Sequence, residues 1–154
     1  MTRFQITALL SSFLFSVSSY ALSPEATEGE TLFPSCNVCH DQAHTPALGP
    51  PMWGVQRRYI RATSDKADFI QQMTSFVKAP TMEAAIHDEA RGQLGLMPAM
   101  PLPDDLLNKI AAYIFEEQFP PPCDHWRFAV KKAKDSGDAD HAAKDQRQLD
   151  RFCK

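Results

Sequence analysis

Apolar residues along this chain recur at helical spacing in several windows and almost never alternate as a strand requires. Within residues 64–78, Phe69, Ile70, Met73, Phe76 and Val77 stand at i, i+1, i+4, i+7 and i+8, with Thr63 or Ser64 as the cap and Pro80 as the terminator. Residues 81–90 pattern as a shorter helix, with Met82, Ala85 and Ile86 on one face and Gly92 near its end. The window "DDLLNKIAAYIFEEQ", residues 104–118, carries the strongest stripe, formed by Leu106, Ile110, Tyr113 and Ile114. Asp104 and Asp105 favour its N-terminus, and the proline run at 120–122 ends it. Upstream, Ser23 caps and Pro24 opens a short helix that Pro34 stops before residue 35. "TPALGPPMWG" and "GLMPAMPLP" are broken by proline and glycine and read as ordered loops. Residues 124–135 and 139–152 form two more helical windows, interrupted at "DSGD". Trp126, Ala129, Val130 and Ala133 share one apolar face there, and Ala142, Leu149 and Phe152 the other. The expected fold class is all-α, with short helices joined by long proline-bearing loops. Such a chain is hard to stabilise without something large at its centre.

The first 21 residues stand outside this pattern. Arg3, the run "FQITALLSSFLFSV" and the small residues of "SSYA" make a secretory leader with cleavage expected after Ala21. The run is too short and too rich in serine to span a bilayer, so no stable membrane insertion is expected. Removing 21 of the 154 residues leaves 133, enough for one small domain with its own core. The formal charge is −3, from 16 basic and 19 acidic side chains, with no basic run and no aromatic–basic interleaving. Nucleic acid is therefore not an expected partner. Export, to the periplasm, puts all four cysteines in an oxidising compartment, where each should be paired, metal-bound or covalently modified.

The densest chemistry lies in "SCNVCHDQ", residues 35–42, where Cys36 and Cys39 stand three apart and His40 follows. C-x-x-C-H is the attachment signature of c-type haem. A thioredoxin-like disulfide would want a strand before the motif, and "EATEGETLF" reads as helix. Zinc would want more paired ligands, and Cys123 and Cys153 belong to no second C-x-x-C. Chance puts a histidine after a given cysteine roughly one time in thirty, from five histidines in 154 residues. One covalent haem c accounts for all three residues together. The thiols add across two vinyl groups, and the adjacent imidazole is held under the iron.

Over residues 24–119 the chain resembles the class I cytochromes c, small mono-haem electron carriers. Three blocks carry the resemblance in order. "GETLFPSCNVCH" is similar to the family's N-terminal helix and haem motif, with Gly29 and Phe33 at the small and aromatic positions. "GPPMWGVQRR" resembles the segment after the haem histidine, which implies that Pro50 accepts a hydrogen bond from His40 and that Arg58 meets a haem propionate. "MPAMPLPDDLLNKIAAYI" resembles the methionine loop and C-terminal helix, which implies a thioether as the second iron ligand. The family's spacing to the helix aromatic, about sixteen residues, matches Met97 and Tyr113, whereas Met100 lies thirteen before Tyr113. Met97 is therefore preferred over Met100, and a thioether there would raise the reduction potential. Bis-histidine ligation is the alternative, although His44 lies close to the proximal side and His87, His125 and His141 read as exposed helix residues.

The resemblance ends at the proline run. With Cys36 and Cys39 engaged by haem, export leaves Cys123 and Cys153 to pair with each other, closing residues 120–154 as a separate helical hairpin. That hairpin is either a structural clamp or a surface through which residues 123–153 dock a partner. The expected activity is electron transfer, without a catalytic residue. Cys36, Cys39, His40, Pro50, Arg58 and Met97 would bind the haem, with His40 and Met97 on the iron, and the partners would be a redox donor and acceptor. Two other readings stay open, a cytochrome subunit of a larger redox complex and a gas-binding, sensing or enzymatic haem protein with a labile sixth ligand.

Overall fold

The structure, a computed structural model, describes residues 21–44 and 46–154, so the expected leader lies outside the described residues except for Ala21. The described residues form eight helices and no strand, which makes the fold all-α. In chain order these are α1 (Pro24–Leu32), α2 (Pro34–His40), α3 (Met52–Ala62), α4 (Lys66–Lys78), α5 (Asp88–Leu94), α6 (Asp104–Glu116), α7 (Cys123–Asp135) and α8 (Ala139–Phe152).

The core forms where α1, α3 and α4 meet α6. Ala26, Phe69, Ala111 and Ala112 are almost wholly buried, and Met52, Tyr59, Met73, Ile110 and Ile114 complete the cluster. Small residues let α1 and α6 approach closely. A Cβ on Gly29 would lie 1.9 Å from the Lys109 carbonyl oxygen, so only glycine fits at that crossing. Polar ties flank it. Ser23 caps α1 through Ala26 N–H and also donates to Glu116 at the end of α6, from its amide (2.7 Å) and its hydroxyl (2.8 Å). Lys66, at the start of α4, reaches the same carboxylate at 2.6 Å.

Four local expectations change. Pro34 does not stop the helical run. It occupies the first turn of α2, where its missing N–H costs nothing, and Phe33 stays helical between α1 and α2. The segment after Pro51 is helix rather than loop, because Met52, Gln56 and Tyr59 bury one stripe while the prolines lie before its start. The cap of α4 is Asp65, which accepts from Asp68 N–H, and not Thr63 or Ser64. The helix read at 81–90 is a single turn capped by the Thr81 hydroxyl, and regular helix resumes at Asp88, where Asp88 and Glu89 complement the dipole. Ala85 to His87 run outside helix between the two.

At the C-terminus, α7 and α8 form an antiparallel hairpin with Cys123 and Cys153 joined by a disulfide. The hairpin expected as a unit of its own rests on α3. Trp53 meets Trp126 and Phe152 with ring centroids 5.3 and 5.0 Å away, and the Arg57 guanidinium lies 4.7 Å from the Trp53 ring and 5.0 Å from that of Phe152. Lys144 of α8 also pairs with Glu89 of α5 at 2.8 Å.

Candidate functional site

The end of α2, the start of α3, the end of α4 and the strap from α5 to α6 enclose a cavity of about 240 Å³. Its walls are mainly aliphatic and thioether side chains, among them Met52, Val55, Met73, Val77 and Leu107. Cys36, Cys39 and His40 enter from one helical turn of α2, since i and i+3 or i+4 positions share a face. Both cysteines are free thiols, Cys36 half-buried and Cys39 exposed, so the short disulfide considered for this pair is not formed. Burial pushes the Cys36 thiol up, opposed by its contact with the Ser35 hydroxyl. Among the described residues, no three His, Cys, Asp or Glu side chains gather as a metal-ion site.

His40 is positioned from the following loop. Its Nδ1 lies 2.7 Å from the Pro50 carbonyl oxygen. A carbonyl can only accept, so Nδ1 carries the proton and Nε2 keeps its lone pair. Burial holds the imidazole below its ordinary pKa, with the bond to Pro50 pulling the other way, and this favours the neutral, ligating form. Gly49 makes the loop's approach feasible, because a Cβ there would stand 3.0 Å from the Cys39 carbonyl oxygen and 3.3 Å from the imidazole.

The strap carries the methionines. Met97 and Met100 both line the cavity, together with Leu96, Pro98 and Leu102. The backbone register is fixed at Met100, whose N–H donates to the Val77 carbonyl at 2.9 Å where α4 ends. Arg58 lines the cavity from α3, and its Nη1 donates to the Ile86 carbonyl at 3.3 Å. Tyr59 lies beside it, its phenol pushed up to about 12 by burial.

Sequence reasoning missed one residue of this site. His87, read as an exposed helix residue, is half-buried at the N-cap of α5 and lines the cavity. Its Nδ1 is buried without a hydrogen-bond partner, which costs roughly 1–3 kcal/mol. No local signal marked it, because Gly54, which lies in the first turn of α3 beneath the imidazole, reads as part of a loop. His125 and His141 belong to α7 and α8, outside the cavity. His44 bonds the Val38 carbonyl through Nε2 at 2.7 Å.

The donor set fits a covalently held haem. Two free thiols and a neutral imidazole share one turn, thioethers stand on the strap, and the walls between are apolar. Comparisons of the chain with protein-family models, with curated proteins and with solved structures found no match.

Proposed function

We propose that the chain is an exported mono-haem c-type cytochrome that carries single electrons between redox proteins in the periplasm. One observation supports this reading above the others. Cys36, Cys39 and His40 reach a single apolar cavity, with the imidazole fixed as a neutral ligand by the Pro50 carbonyl. Haem held there supplies a one-electron iron couple. The chain's own residues do the rest. Cys36 and Cys39 would hold the haem covalently, His40 Nε2 and Met97 would ligate its iron, and Arg58 would meet one of its acid groups. The apolar walls would keep water from the iron, which suits transfer of an electron without substrate chemistry. The leader sequence supports export, and among the described residues no helix is long and apolar enough to cross a membrane.

The test is expression with export in a host that matures c-type cytochromes. The intact mass should equal the processed chain plus one haem, and haem staining should survive a denaturing gel. Replacing both Cys36 and Cys39 by serine should abolish covalent attachment. The oxidised protein should show the weak near-infrared sulfur-to-iron band, lost in Met97→Ala and kept in Met100→Ala. The reverse result would shift the ligand to Met100. Haem that extracts fully into acid acetone would sink the proposal, and ready carbon monoxide binding without the sulfur band would favour a sensor or enzyme.

A further inference from the structure

The geometry points to a carboxylate-binding corner formed by Arg58 and His87 on the α3–α5 wall, with His87 as a proton-linked partner of an acid group on the cavity's occupant. This rests on the haem reading above, in which that acid group is a propionate. Gly54 and Arg58 are four residues apart in α3 and so lie on one face of it. The imidazole sits over that face, since a Cβ on Gly54 would be 3.4 Å from His87 Nε2. A glycine inside a helix is unfavourable by itself, and here it leaves room for the ring. The Arg58 bond to the Ile86 carbonyl, one residue before His87, holds the guanidinium next to the imidazole. A fork of guanidinium donors beside a single imidazole N–H suits the two oxygens of one carboxylate.

The buried, unpartnered Nδ1 shows that the chain alone does not satisfy this ring. Burial and, to a lesser extent, Arg58 keep the imidazole below its ordinary pKa, while Glu89 and Asp88 of α5 and a weak contact with the residue's own backbone oppose them. Glu89 is itself drawn towards Lys144 and His141 of α8, so its pull on His87 is shared. A carboxylate between Arg58 and His87 would offset both depressing effects. Reduction lowers the charge of the centre by one, so His87 should bind its proton more tightly in the ferrous protein. By linkage, the midpoint potential should then fall as pH rises through the imidazole's range.

The experiment uses the mature holoprotein. Intact mass and the sulfur-to-iron band first establish covalent haem and Met ligation; their absence would remove this proposal together with the haem reading. The His87 proton dissociation constant is then followed by NMR in both redox states, and the midpoint potential against pH in wild type and His87→Gln. We expect the constants to differ roughly threefold or more between redox states, the wild-type potential to fall with pH, and His87→Gln to flatten that fall. Equal constants, or an unchanged slope in His87→Gln, with haem and Met ligation intact, would overturn the corner and leave the haem reading standing. A change of axial ligation in His87→Gln would instead make His87 an iron ligand and also overturn it. Should His87→Gln fail to fold, the wild-type comparison of redox states decides.

Discussion

Gly29→Ala isolates the packing that holds the α1–α6 crossing, and with it the seat of α6, which contributes Leu107 and Ile114 to the cavity wall. The added methyl would lie 1.9 Å from the Lys109 carbonyl oxygen, 2.5 Å from its carbon and 3.0 Å from Ile110 N. Ordinary contact begins at 3.4 Å, so backbone atoms must separate by 3.4 − 1.9 = 1.5 Å along that direction. No flexible side chain can absorb this, because every neighbour is backbone of α6. Overpacking of this kind costs about 1–3 kcal/mol, and the shift also loosens Ala26 against Ala111 and Ala112. Better helix propensity returns at most about 1 kcal/mol, and a 1.9 Å approach to backbone belongs at the upper end of the overpacking range, leaving a net loss of about 2 kcal/mol and a fall in Tm of several degrees. Gly92→Ala is the internal control, since it lies in α5 with nothing within 4 Å of the added methyl. It should be neutral or stabilising by up to about 1 kcal/mol. Urea and thermal unfolding followed by far-ultraviolet circular dichroism measure both. Equal or improved stability in Gly29→Ala would refute the close crossing.

Gln56→Leu should lose about 1–3 kcal/mol in urea unfolding, because the Gln56 amide donates to the buried Ile114 carbonyl (2.7 Å) and to the part-buried carbonyls of Phe115 (3.3 Å) and Glu117 (2.6 Å), which would lose this partner. Tyr59 is neutral in the fold up to about 12 against 10 in the unfolded chain, so its contribution is intact below pH 10 and is lost as pH rises towards 12. That loss amounts to about 2–3 kcal/mol, and Tyr59→Phe should flatten this part of the alkaline unfolding profile. Reduction of the Cys123–Cys153 disulfide, which spans a sequence separation of 30, should destabilise the hairpin by up to roughly 3–4 kcal/mol. The reduced hairpin should become protease-sensitive and Trp53 and Trp126 fluorescence should shift, because both indoles lie at the hairpin's seat on α3.

The helices that were legible are those whose apolar faces can be read without their neighbours. α4, α6, α7 and α8 each carry a periodic stripe and a nearby stop, and they lie within a few residues of the expected windows. α3 was hidden because Pro50, Pro51 and Gly54 look like a loop. Its buried stripe depends on Gln56, a polar residue whose burial follows only from the carbonyls left without intrahelical partners at the end of α6. The short turn at 81–84 failed for the opposite reason. Met82 sits at a helical interval from Ile86 yet stays about half exposed, because no facing element covers it. Periodicity marks a face, and only tertiary structure decides whether that face has a partner.

The same limit separates the two halves of the site. Cys36, Cys39, His40 and Pro50 were legible because their chemistry is local: one helical turn and one loop closure bring them together. Met97, Met100, Arg58 and His87 meet only through the fold, across α3, α5 and the strap, so spacing can rank them but cannot place them. α3 joins these parts to the C-terminal hairpin. Its Met52, Val55, Arg58 and Tyr59 side faces the cavity, and its Trp53 and Arg57 side, on the far face of the same helix, holds Trp126 and Phe152. Lys144–Glu89 adds a second link, from α8 to α5, whose N-cap is His87. The hairpin therefore braces the cavity from outside. Its apolar stripe is spent on this chain, and the exposed Phe128 (62 %) is the large apolar side chain it leaves to solvent. On the proposed haem reading, a clamp that immobilises α3 would limit the movement of Arg58 and Tyr59 between redox states, and a rigid surround would lower the reorganisation that accompanies each electron transfer.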